Sequence, residues 1–134
     1  MKSVINVFRT FSVVLAISLV AVIANADSSG TWQKKSQKIK GSWSIVQQDE
    51  GFVLNLGEGF STRNAPDLKL VLTKQSLADA NNKNALAGEH VIVSLLESNK
   101  GAQSYALPDD YADYDTLLIH CEKFSKLWGG TSIK

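Results

Sequence analysis

Ser42-Trp43-Ser44-Ile45-Val46-Gln47 and Phe52-Val53-Leu54-Asn55-Leu56, separated by Asp49-Glu50-Gly51, decide the fold. In the second stretch Phe52, Leu54 and Leu56 fall on one face, the period of two that a half-buried strand requires. The acids and the glycine between the stretches make a hairpin connection. Outward from this pair the pattern repeats. Asn64-Ala65-Pro66-Asp67 feeds Leu68-Lys69-Leu70-Val71-Leu72-Thr73, because Pro66 fixes its own φ and pushes Ala65 away from helix. Val91 to Leu96 is another strand, Ser104 to Leu107 ends at Pro108, Thr116 to Cys121 is strongly apolar, and Thr131 to Ile133 supplies a short final strand. Gln75 to Gly88 is rich in Ala, Asn and Asp and reads as a surface loop. Brief strands, frequent turn residues and no amphipathic helix predict a single compact all-β domain, an antiparallel β-sandwich or small barrel of about 7–8 short strands.

The N-terminal end has a different character. Lys2 and Arg9 precede an apolar run from Phe11 to Ile23, and Ala24-Asn25-Ala26 follows. A basic start, a short apolar core and an A-x-A site are the pattern of a secretory signal peptide over 1–26. A spanning helix wants about 20 apolar residues, and no second stretch of that length follows. The expected product is exported, periplasmic or secreted, with no membrane span after cleavage. Residues 27–40 are polar and rich in Ser, Lys and Gln around an isolated Trp32, which predicts a flexible leader ahead of a β domain over 41–134.

Of 134 residues, 14 are Lys or Arg and 13 are Asp or Glu. Removing Lys2 and Arg9 leaves 12 cations against 13 acids, a net charge of about −1 on that count. A nucleic-acid partner is therefore not expected, since phosphate binding draws on an excess of cations. There is no P-loop, dinucleotide fingerprint or G-x-S-x-G elbow. One Cys and two His are too few for a structural zinc site.

Three features carry what chemistry there is. Asp109, Asp110, Asp113 and Asp115 crowd one segment and are weak candidates for calcium; the alternative is a solvated turn whose carboxylates cap backbone amides. Tyr111 and Tyr114 in that segment are the plausible exposed aromatic pair for stacking on a sugar, while Trp43 and Tyr105 alternate like core residues. Cys121 is the only cysteine. Alternation places it with Leu117 and Ile119, opposite Leu118 and His120. A lone Cys is most often a small buried hydrophobe, but a leftover thiol in an exported protein suggests intermolecular pairing or reactivity. Lys123 and Lys126 follow it closely enough to favour a thiolate. His120, pointing the other way, reads as an exposed or hydrogen-bonded side chain that does not cooperate with the sulfur.

Pro66-Asp67-Leu68-Lys69-Leu70-Val71-Leu72 preceded by Phe60, then Asn99-Lys100-Gly101-Ala102-Gln103-Ser104-Tyr105-Ala106-Leu107-Pro108, then Tyr114-x-x-Leu117-Leu118-Ile119-His120-Cys121-Glu122-Lys123-Phe124 resemble the DM-thirteen domain family in order and spacing, and the resemblance continues through Leu127-Trp128-Gly129. It covers nearly the whole chain from about Lys40. The resemblance implies a β-rich domain of the kind found beside DOMON and cytochrome b-type domains, with an electron-transfer or thiol-redox role centred on the cysteine matched by Cys121. Two departures stand out: His120 occupies a position usually held by an aromatic, often Trp, and Ala65 one where Gly is common. The expectation is a domain that works with a redox or cell-envelope protein partner rather than a stand-alone enzyme. The alternative is a non-enzymatic envelope binding module in which Cys121 is structural. The cofactor stays unassigned, since neither haem nor copper can be read from these residues.

Overall fold

The computed structural model describes residues 26–134. The targeting segment read over 1–26 therefore lies, apart from Ala26, outside the described residues. Eleven strands follow in order: β1 Ala26–Thr31, β2 Gln33–Lys34, β3 Ile39–Lys40, β4 Ser42–Gln48, β5 Gly51–Leu56, β6 Ser61–Thr62, β7 Leu68–Thr73, β8 His90–Leu95, β9 Gln103–Leu107, β10 Thr116–Cys121 and β11 Lys126–Ser132. Three of them are two-residue ladders, so the eight longer strands match the number expected. A single 3-10 turn, Tyr111–Asp113, precedes β10.

Two antiparallel sheets form, in the orders β1-β4-β5-β9 and β2-β11-β10-β7-β8, with β3 and β6 pairing separately. Neither sheet closes on itself, so the architecture is a sandwich and not a barrel. The β4–β5 hairpin is as expected: Asp49 takes the left-handed φ of 46° that a tight connection needs, and Ile45 pairs with Leu54. Ile45, Leu54, Leu56 and Tyr105 from the first sheet meet Leu70, Leu72, Leu117 and Ile119 from the second in one continuous core.

β10 is buried at every position, which alternation alone does not explain. Its outer face is covered by the 75–88 segment. That segment is a loop, as its composition predicts, but Ala80 and Ala85 pack with Val71, Leu118 and Leu127 into a second small core. Hydrogen bonds tie it down: Gln75 Nε2 donates to the Asn84 carbonyl at 2.6 Å, and Leu127 N donates to Asn82 Oδ1 at 2.8 Å.

Residues 27–40 are not a flexible leader. β1 pairs with β4, β2 adds to β11, and Trp32 between them is 5% exposed with its ring tilted against Phe60 at 6.0 Å. The polar composition misleads because the segment is held mainly through its backbone. The amides of Lys35 and Gln37 both donate to the Trp128 carbonyl, and that of Ser36 to Leu127. Such pairing is indifferent to side-chain polarity. Trp32 and Ile39, both in the core, supply the apolar anchors.

Candidate functional site

Cys121 closes β10, paired with Leu68 on β7 and Lys126 on β11. Alternation turns it inward with Leu117 and Ile119, as expected, and its exposure is 0%. The residues immediately after it are quite different. Glu122 to Lys126 are all exposed, Phe124 at 55%. A tight turn closes through Ser125 N donating to the Glu122 carbonyl, with Ser125 at φ 49°. The sulfur thus lies in the inner core, one residue before the exposed turn of the β10–β11 hairpin.

That tip is fastened to the start of β7. Asp67 Oδ2 accepts from Lys123 N at 3.1 Å, and the Asp67 carbonyl accepts from Glu122 N at 3.4 Å. Lys69 bridges the same groups, ion-paired to Asp67 at 3.6 Å and hydrogen-bonded to Glu122. Pro66 and Asp67 read in the sequence as turn chemistry ahead of a strand; the structure gives Asp67 the further task of latching a distant hairpin. Lys123 and Lys126 do not provide a buried cationic environment for the sulfur. Both are exposed, and the Lys123 ammonium lies 5.9 Å over the Phe124 ring.

One residue inward, a β-bulge reshapes the ladder. Ile119 pairs with Gly129 but His120 pairs with Leu127, so Trp128 is the extra residue on β11. The bulge sends Leu127 to the outer core and Trp128 to the inner one, where its Nε1 donates to the Arg63 carbonyl at 3.1 Å.

His120 contradicts its sequence reading. It is 4% exposed, and its Nδ1 has no hydrogen-bond partner. Burial holds the His120 pKa below the ordinary histidine value; the Asp67 carboxylate opposes the shift and the Lys69 ammonium adds to it. A histidine held neutral by the fold contributes stability that is fully present above about pH 6.5, and that contribution is lost as pH falls through the lower folded-state pKa. We expect the denaturation midpoint to fall between about pH 7 and pH 5 by more in the natural protein than in His120→Phe. Equal pH dependence in the two would show that His120 is solvated.

The acidic segment is not a gathered site. Asp115 is ion-paired with Lys134 at 2.6 Å, and Asp113 N and the Asp110 carbonyl close the 3-10 turn. Among the described residues no group of three or more His, Cys, Asp or Glu side chains is placed to hold a metal ion. Asp109, Asp110, Asp113 and Asp115 are thus not brought together as calcium ligands. Nor are the tyrosines a stacking surface: Tyr111 and Tyr114 are 8% and 4% exposed, and Tyr111 meets Phe52 edge-on at 4.7 Å. The 3-10 turn folds both rings into the core, which composition could not reveal. Trp43 and Tyr105 are core residues, as alternation predicts; Trp43 Nε1 donates to Thr131 Oγ1 at 2.9 Å.

Residues 31–133 match the family model described as electron transfer DM13. The chain belongs to the DM13 family. No curated protein and no solved structure matches it. The matched span of the DM13 domain runs from the end of β1 to the residue after β11, and so includes Trp32, the Asp67 latch and Cys121. No helix among the described residues is long and apolar enough to cross a membrane.

Proposed function

We propose that this DM13 domain is exported and takes part in electron transfer through Cys121, a guarded thiol that a redox protein partner reaches by local opening of the β10–β11 hairpin. The observation that carries the reading is the position of the sulfur: fully covered, yet one residue from an exposed turn held by a small set of contacts to Asp67 and Lys69. Hairpin tips open at a cost well below global unfolding. Family membership supports the electron-transfer class, and the signal-peptide pattern over 1–26 supports the compartment. Cleavage after Ala26 would leave intact the pairing of Ser28–Thr31 with β4.

In the open state the Cys121 thiol gives its proton to solvent, and the thiolate attacks a disulfide of the partner. A mixed disulfide forms, and one partner sulfur leaves as a thiolate. Since the domain has no second cysteine, a dithiol of a second redox protein must resolve that bond: its first thiolate attacks the Cys121 sulfur and releases the partner with both sulfurs as thiols, and its second thiolate then displaces Cys121. The partner's disulfide is thereby reduced by two electrons, the donor dithiol is oxidised to a disulfide, and Cys121 returns as the free thiol.

The zero exposure of the sulfur also favours a second reading, in which Cys121 only packs and the domain binds an envelope component. The two separate in one experiment. Native protein incubated with oxidised glutathione should gain one glutathionyl adduct by mass, absent in Cys121→Ala. Asp67→Ala, which removes the latch, should speed the adduct about tenfold, as loss of a charge-assisted hydrogen bond implies. Adduct formation only after unfolding would favour the packing account.

A further inference from the structure

One concavity of the described molecule lies on a part of the fold the hairpin site does not use. Lys34, Lys38, Ile39, Lys40, Thr62 and Arg63 are among the residues that enclose about 820 Å³ between the β2–β3 connection and the β3–β6 ladder. Four of its lining side chains are cationic, none is acidic and none is aromatic. No ion pair among the described residues involves Lys34, Lys38, Lys40 or Arg63. In a chain whose cations and acids nearly balance, this is a local excess of positive charge.

The register makes the arrangement costly. Ile39 pairs with Thr62 and Lys40 with Ser61, and Lys38 and Arg63 leave this two-residue ladder at the same end, both lining the cleft. Like charges gathered in one cleft repel. The alternation of β3 buries Ile39 and leaves Lys38 and Lys40 on the open side together. The backbone that carries these residues is firmly set. Thr62 Oγ1 donates to the Lys38 carbonyl at 2.8 Å, Asn99 Nδ2 donates to the Thr62 carbonyl at 3.1 Å, and Trp128 Nε1 holds the Arg63 carbonyl. Uncompensated cations on a fixed frame form a preorganised anion site.

We propose that this cleft binds a small ligand carrying several phosphate or sulfate groups, with Lys38 and Arg63 as its principal contacts. A volume of this size exceeds what one tetrahedral oxyanion fills and lies within the range of small-molecule sites. Four cations suit several negative groups, and Arg63 offers the planar fork that grips an oxyanion through two N–H groups. With no aromatic residue in the lining, recognition rests on charge and hydrogen bonding, including the hydroxyl of Ser61, and not on stacking. Bound anion would relieve the Lys38–Arg63 repulsion, so binding should also stabilise the domain.

Calorimetric titration with tripolyphosphate at about 50 mM salt should show one site per chain, weakening as added salt screens it. The Lys38→Gln, Arg63→Gln pair should weaken it at least about tenfold, with an unchanged unfolding transition as the check that the variant is folded. Lys83→Gln with Lys126→Gln, the same charge change outside the cleft, should leave affinity within about twofold. Sucrose octasulfate tests whether sulfate serves as well as phosphate; binding of either at this site upholds the proposal. As a readout independent of affinity, Lys38→Gln alone should raise the low-salt melting temperature. Absence of binding by both probes, or equal loss in the two double variants, would overturn it.

Discussion

Trp128→Ala is expected to lower the stability of the domain by about 3–5 kcal/mol, the range for removing a large aromatic from a packed core. The ring is 5% exposed and sits in the inner core at the bulge that separates Leu127 from Gly129. Truncation leaves a cavity between the sheets and deprives the Arg63 carbonyl of its donor. A domain of this size has roughly 5–15 kcal/mol in total, so the variant should be close to the limit of folding at body temperature. Urea denaturation with an unchanged slope would measure the loss. A change below about 1 kcal/mol, typical of surface positions, would mean that the bulge does not turn the ring inward.

Gly129→Ala should have the second largest effect, and a more local one. A Cβ at this position would lie 2.5 Å from the Gln33 carbonyl oxygen and 2.8 Å from Ile39 Cγ2. The first is backbone, so the clash is resolved only if β2 moves off β11. Overpacking of this kind costs about 1–3 kcal/mol. Its more telling consequence is the release of the Lys34–Lys35 segment, whose amides are otherwise engaged with β11. Limited trypsin digestion should nick the variant there early and leave the natural protein intact, because cleavage follows the population of the open form. Equal resistance would show that β2 is not fixed against Gly129.

The longer strands could be read in the sequence because their side chains alternate: Phe52 to Leu56 and Leu68 to Thr73 announce their inward faces, and Leu117, Ile119 and Cys121 announce theirs. What could not be read was structure made by backbone. Gln33–Lys34 and Ile39–Lys40 form ladders too short to show a period, and the Lys-rich composition around them argued for disorder until one tryptophan and several amide contacts tied them down. Double burial was hidden for a related reason. His120 alternates with Cys121 as a solvent-facing residue would, yet it is buried, and Leu118 on the same face is covered by a loop whose small apolar residues, Ala80 and Ala85, carry little signal. The turn that draws in Tyr111 and Tyr114 is equally silent in composition. Alternation puts Cys121 on the correct face, but the contact that fastens the turn after it is not visible, since Asp67 and Lys123 lie far apart in sequence and meet only at the hairpin tip.

The most direct measurement is the rate at which Cys121 reacts with a chromogenic disulfide in native buffer, followed across a series of low urea concentrations. A thiol reached by opening of one hairpin exposes little surface on the way, so its rate should rise only weakly with urea, with a slope well under that of global unfolding. A rate that tracks global unfolding, with the full urea slope, would contradict the guarded thiol and leave Cys121 as a packing residue.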